Sequence, residues 1–194
     1  MLNRLTRETA SLHKAADEDR LSMLGFAVDR GRYAAFLTRV YGFEAQLDVA
    51  IVMTDGLTPW IDLRDRGHLR LLRADLEALG NRELDVVPRC PTVLPFQHPA
   101  EALGWSYAIE RNTLLHGTIE RHLRARLPDV LNVAGAYLAG QQRSNGERMR
   151  DLGSAMDRIA KDPCSADTIV AAARAAFRMQ HRWYAAMVPR QRVA

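Results

Sequence analysis

The chain has little that would tie it to the commonest functional classes. There are two cysteines in 194 residues, Cys90 and Cys164, each beside a proline and far apart. That spacing suits neither a zinc site nor a redox pair, and both thiols are expected to be unpaired. Only two cations are lysines, Lys14 and Lys161; the rest are arginines. These arginines are scattered among acids through helical segments, so the net charge of +4 is not a nucleic-acid footprint. No apolar run reaches the ~20 residues that span a bilayer, and the N-terminal MLNRLTRETASLH lacks an apolar signal core. The expectation is a cytoplasmic protein with no nucleic-acid or membrane partner. There is no HExxH, no phosphate-binding glycine loop and no local context for a nucleophilic serine or cysteine. Only Asp65-x-x-His68 has the Glu-x-x-His form, one copy short of a carboxylate-bridged di-iron site.

What is present is helical periodicity. Leu5, Thr9, Leu12 and Ala16 mark a buried face over residues 3–19. Tyr33, Phe36, Leu37, Val40, Phe43, Leu47 and Ile51 mark a long core helix from 32 to about 53. A third helix covers roughly 61–79, stopped by Gly80-Asn81, and residues 81–99 carry four prolines in an irregular connection. The segment 98–127 is a long periodic stretch with no proline after Pro99. A short helix around 134–140, another over 147–160, and a last one from Ser165 to about Val188 complete the chain. No segment alternates as a strand. The expected fold is all-α, a single domain over 1–194 with six to eight helices packed as a bundle.

The polar residues on these helices hold the candidate chemistry. His13 and Asp17 are one turn apart, so a carboxylate can hold one imidazole nitrogen and leave the other for a metal; a plain surface pair would look the same. On a straight helix Trp105, Ile109, Asn112, His116, Ile119 and Leu123 form one stripe, apolar except for Asn112 and His116. His116 therefore faces either a structural hydrogen bond, a cavity or a metal. His122 points elsewhere.

Several ordered motifs resemble those of bacterial heme oxygenases, of the kind found beside phytochromes or in iron acquisition. Leu5-Thr6-Arg7-Glu8-Thr9-x-x-x-His13 is similar to the family's opening LRxxTxxxH. Tyr33-x-x-Phe36-Leu37 with Tyr41 and Phe43, then Asp75-Leu76-x-x-Leu79-Gly80, follow in order. Ala102-Leu103-Gly104-x-x-Tyr107-x-x-Glu110, Thr113-Leu114 and Ile119-x-Arg121-His122-Leu123 resemble the segment ALGxxYVLEGSTLGGxxIxRHL, and Phe177 with Trp183 resemble the closing helix.

The resemblance implies heme held between a proximal and a distal helix, and oxidative cleavage to biliverdin, carbon monoxide and iron. Heme would be substrate and cofactor. An external electron donor, a reductase or ferredoxin, would serve the reaction, and a phytochrome or another acceptor could take the biliverdin. By position, His13 would ligate the iron and Asp17 would orient it. Asn112, Thr113 and His116 would complete the reacting group, with His116 as a possible second axial ligand. Tyr107, Arg7, His116, Gly117, Arg143, Arg148 and Arg150 would contact heme or its propionates.

One departure stands out: where the family reads EGSTLGG, this chain reads Glu110-Arg111-Asn112-Thr113-Leu114-Leu115-His116. Glycines let a helix backbone approach heme and bend across it. Their replacement leaves a second reading, a non-catalytic heme or tetrapyrrole carrier or sensor. A helical interaction or phosphotransfer module is a third.

Overall fold

The computed structural model describes residues 1–186 apart from 26, 63–66, 92, 94 and 143–144. Among the described residues the regular structure is helical throughout, with no strand. The α-helices are α1 (Leu2–Glu8), α2 (Ala10–Leu24), α3 (Arg30–Val52), α4 (Gly67–Ala78), α5 (Pro99–Asn112), α6 (His116–Arg124), α7 (Pro128–Ala134), α8 (Ala136–Gln142), α9 (Asn145–Ile159) and α10 (Pro163–Ala185). The all-α expectation is met. The ten α-helices described exceed the six to eight expected, since the chain breaks at Thr9 and at Thr113–Leu115.

Each break has a local cause. Between α1 and α2, the Thr9 hydroxyl donates to the Leu5 carbonyl at 2.8 Å, a back-bond that competes with the helix ladder and bends it. The segment 98–127, expected as one helix, breaks at a 3₁₀ turn over Thr113–Leu115. There the Thr113 hydroxyl donates to the Glu110 carbonyl at 2.6 Å. Distal glycines are therefore not required for this bend. At its start, α5 has Pro99 in the first turn and His98 as cap, its Nδ1 accepting from Ala100 N–H at 3.1 Å. Asp29 caps α3 by accepting from Arg32 N–H at 2.7 Å.

Helix α5 is the centre of the bundle, with every residue from Ala102 to Glu110 buried. Its most extensive partner is α10. A Cβ on Gly104 would lie 2.4 Å from the Ile169 carbonyl and 2.7 Å from the Ala172 Cβ, so the two backbones touch only because residue 104 is glycine. Two apolar clusters flank this centre. One joins α5 with α9, α10 and the C-terminal half of α3; the other joins the N-terminal half of α3 with α4, α6, α7 and α8. Asp75 fastens α8 to α4 by accepting from Ala136 and Tyr137 N–H at 3.0 and 2.8 Å. Cys90 is buried and Cys164 exposed, and the two form no disulfide. Among the described residues no helix is long and apolar enough to cross a membrane.

Candidate functional site

Three of the sequence-selected residues meet on one face, between α2 and α5. His13 on α2 and Tyr107 on α5 both pack edge-on against Phe177 of α10, with ring centres 6.0 and 6.1 Å away. Phe177 is thus a shared floor. One turn beyond each lie Asp17 and Arg111, whose Oδ2 and Nη2 are 3.6 Å apart, so an ion pair crosses from one helix to the other. Thr6 on α1 closes the end of the face, its hydroxyl 3.4 Å from the Tyr107 hydroxyl.

The electrostatics keep His13 neutral. Burial lowers its pKa, and Arg111 lowers it further, against a smaller opposite pull from Asp17. Burial raises the Asp17 pKa, opposed by Arg111, Arg20 and His13. The expected orientation of His13 by Asp17 is not what forms. The buried Nδ1 of His13 has no hydrogen-bond partner, while Asp17 turns toward Arg111. A full guanidinium charge across the gap attracts the carboxylate more than a neutral ring does.

His116 lies elsewhere. It is fully buried at the start of α6, its ring centre 4.8 Å from that of Tyr137 on α8. Neither ring nitrogen has a hydrogen-bond partner. Burial drives its pKa well down, helped by Arg20 and His68. His13 packs on Phe177 and His116 on Tyr137, while Arg20, two turns beyond His13 on α2, bears on both Asp17 and His116. Asn112 is buried beside it; its carbonyl accepts from Arg20 Nη1 at 3.1 Å, and its side-chain amide has no partner. Thr113 is buried and Gly117 half-buried.

The expected propionate arginines are dispersed. Arg7 and Arg150 are exposed. Arg148 binds Glu110 through Nε and Nη2 at 2.7–3.3 Å, joining α5 to α9. Arg143 lies outside the described residues. His122 is structural, with Nε2 3.0 Å from the Gly25 carbonyl.

A buried polar core joins α2, α3, α4 and α8, and periodicity alone did not reveal it. Arg20 of α2 is fully buried, and Glu44 of α3 accepts from the Tyr137 hydroxyl at 2.6 Å. The Glu44 Oε2 lies 3.8 Å from His68 Nε2. Burial raises the Glu44 carboxyl to about 7 despite the Tyr137 bond and the pull of Arg20 and Arg148. The signal was in the sequence: Glu44 falls on the Val40–Leu47 stripe and Arg20 continues the stripe of Ala16. Charge on an apolar stripe marks a site where burial must be compensated.

The face between α2 and α5 fits heme in its donor chemistry. His13 offers a neutral imidazole, Phe177 an apolar floor and Arg111 a guanidinium, a set that suits a flat acidic macrocycle. The Arg111–Asp17 pair spans that face. Comparison with known proteins bears on the same group. The family model described as heme oxygenase matches residues 1–186, a match that implies heme binding. No curated protein and no solved structure matches the chain significantly. A match over almost the whole chain settles the family: this protein belongs to the heme oxygenase family.

Proposed function

We propose that the chain binds heme on the face between α2 and α5 and cleaves it oxidatively to biliverdin, carbon monoxide and iron. The observation that carries this reading is His13: a half-buried, neutral imidazole on an α2 face opposite Tyr107 and Arg111, in a chain of this family. Bound heme would supply the redox-active iron and the ring that is opened. His13 would hold the iron, and its Nδ1, without a protein partner, would leave the imidazole less basic than one held by a carboxylate. Tyr107 would offer its hydroxyl to a propionate, releasing Thr6. Arg111, once released from Asp17, has the fork to take a carboxylate in a paired hydrogen bond. Asn112, Thr113 and His116 would act from behind this face, around the α5–α6 bend. Electrons would come from a reductase or ferredoxin and oxygen would be the oxidant; a phytochrome is one acceptor for the product.

A second reading is favoured by Arg111 itself. A guanidinium where the family has glycine crowds the face and supports a member that holds heme without turning it over. One experiment separates the two. The heme complex is given a reductant and oxygen for a single turnover, with a peroxide scavenger present. The cleavage reading expects biliverdin and carbon monoxide, both lost in His13→Ala. A heme spectrum that persists through the incubation supports the carrier.

A further inference from the structure

A second face of α5 carries a cleft of about 310 Å³, at the small end for ligand pockets. Its apolar side chains are Leu47 and Ile51 of α3, Ile109 of α5, Leu152 of α9, and Trp60 from the loop after α3, and the carboxylates of Asp48, Asp62, Glu110 and Asp151 line it as well. Glu44 and Ser106 bring buried acceptors to it. Glu44 is 2% exposed and its Oε2 makes no hydrogen bond; Ser106 is 9% exposed and its hydroxyl makes none either. Buried polar atoms are almost always hydrogen-bonded, so Glu44 Oε2, which faces His68 Nε2 only at 3.8 Å, and the Ser106 hydroxyl together mark a built site. The two described arginines lining the cleft are already used. Arg148 is bound to Glu110, and Arg158 donates to the Trp60 carbonyl at 3.1 Å with its guanidinium 5.8 Å from the Trp60 ring centre.

We propose that this cleft is a second ligand site, one that takes a small organic cation. The apolar body would lie against Leu47, Ile109, Leu152 and Trp60, and a protonated amine or amidine would donate to Glu44 Oε2 and the Ser106 hydroxyl. An anion is disfavoured, since both arginines are engaged and it would face a carboxylate. A neutral ligand gives the carboxylate form of Glu44 no opposite charge. The groups around that carboxyl are Tyr137 of α8, Arg20 of α2, Glu110 of α5, Arg148 of α9 and His68 of α4. Burial outweighs them and keeps the carboxyl partly protonated at neutral pH. A bound cation favours the carboxylate, so binding releases a proton and tightens between pH 6 and 8. None of this depends on heme.

The test uses the full chain without heme and three isosteric probes: benzamidine, benzamide and benzoate. Calorimetry is expected to show saturable benzamidine binding, at least about tenfold tighter than benzamide, with benzoate weaker still. Glu44→Gln is expected to lose about tenfold or more for benzamidine while retaining a cooperative thermal melt. If that variant does not fold, Leu152→Trp, which fills the cleft from the wall, is expected to abolish binding. Equal binding of benzamide or benzoate overturns the proposal. So does unchanged affinity in a folded Glu44→Gln or Leu152→Trp variant, or no saturable benzamidine binding. Each of these results leaves heme binding at His13 untouched.

Discussion

On one face of α5, Arg111 reaches Asp17 of α2 through a single contact of 3.6 Å. On the other, Glu110 takes Arg148 of α9 through three contacts of 2.7–3.3 Å. Both pairs join α5 to a neighbouring helix with the same two functional groups. The first is long and one-pronged, with side chains 21% and 17% exposed; the second is forked and somewhat more buried. A forked pair fixes geometry as well as charge, whereas a single long contact gives up little when it opens. Helix α5 therefore has one face suited to opening around a large flat ligand and one that forms a fixed wall. The heme reading uses the first face, and the small-cation cleft uses the second.

The contrast is easiest to break by removing one member of each pair. Glu110→Ala strands Arg148 and is expected to cost about 3 kcal/mol in urea unfolding. Arg111→Ala is expected to cost less than about 1 kcal/mol in the same measurement. Equal losses would show that the two faces are equally rigid.

The pH dependence sharpens the contrast on the cleft side. The Glu44 pKa is raised by folding from 4.5 to about 7, so the folded state retains a proton that the unfolded state releases in that window. Its contribution is fully present below about pH 4.5 and is lost as pH rises toward 7, at up to about 1.4 kcal/mol per pH unit. Glu44→Gln should thus gain stability relative to the parent as pH rises from 4.5 to 7, then level off. Parallel denaturation curves at several pH values would read this directly; a constant difference between the two proteins would refute it.

How far these features were legible differs by residue. The helical stripes gave the all-α fold, because apolar spacing records which side of each helix is buried. The family motifs singled out His13 and Tyr107, and the structure brings both against Phe177. The bend at Thr113–Leu115 carried no glycine or proline; it rests on a threonine back-bond. The i+4 spacing of His13 and Asp17 was correct as far as it went. Spacing on one helix says nothing of a guanidinium facing it from another, and Arg111 decides where Asp17 turns. The Arg148 pairing was hidden in the same way: Glu110, which engages it, lies 38 residues away.

The smallest expected effect concerns ligand entry. If the Arg111–Asp17 pair must part for heme, then Asp17→Asn removes that cost while keeping Arg111 free for a carboxylate. Heme affinity is expected to rise a few-fold, about 0.5–1 kcal/mol, by spectroscopic titration. A fall in affinity would mean that the carboxylate supports the site rather than latches it.

The central claim is that heme is held from the α2 face by His13 and that His116 is not a ligand. Absorption spectra of the heme complex in His13→Ala and His116→Ala test it most directly. The account expects the histidine-ligated Soret band to be lost in His13→Ala, restored by added imidazole, and unchanged in His116→Ala. A His13→Ala protein that keeps its ligation, or a His116→Ala protein that loses it, would contradict the account.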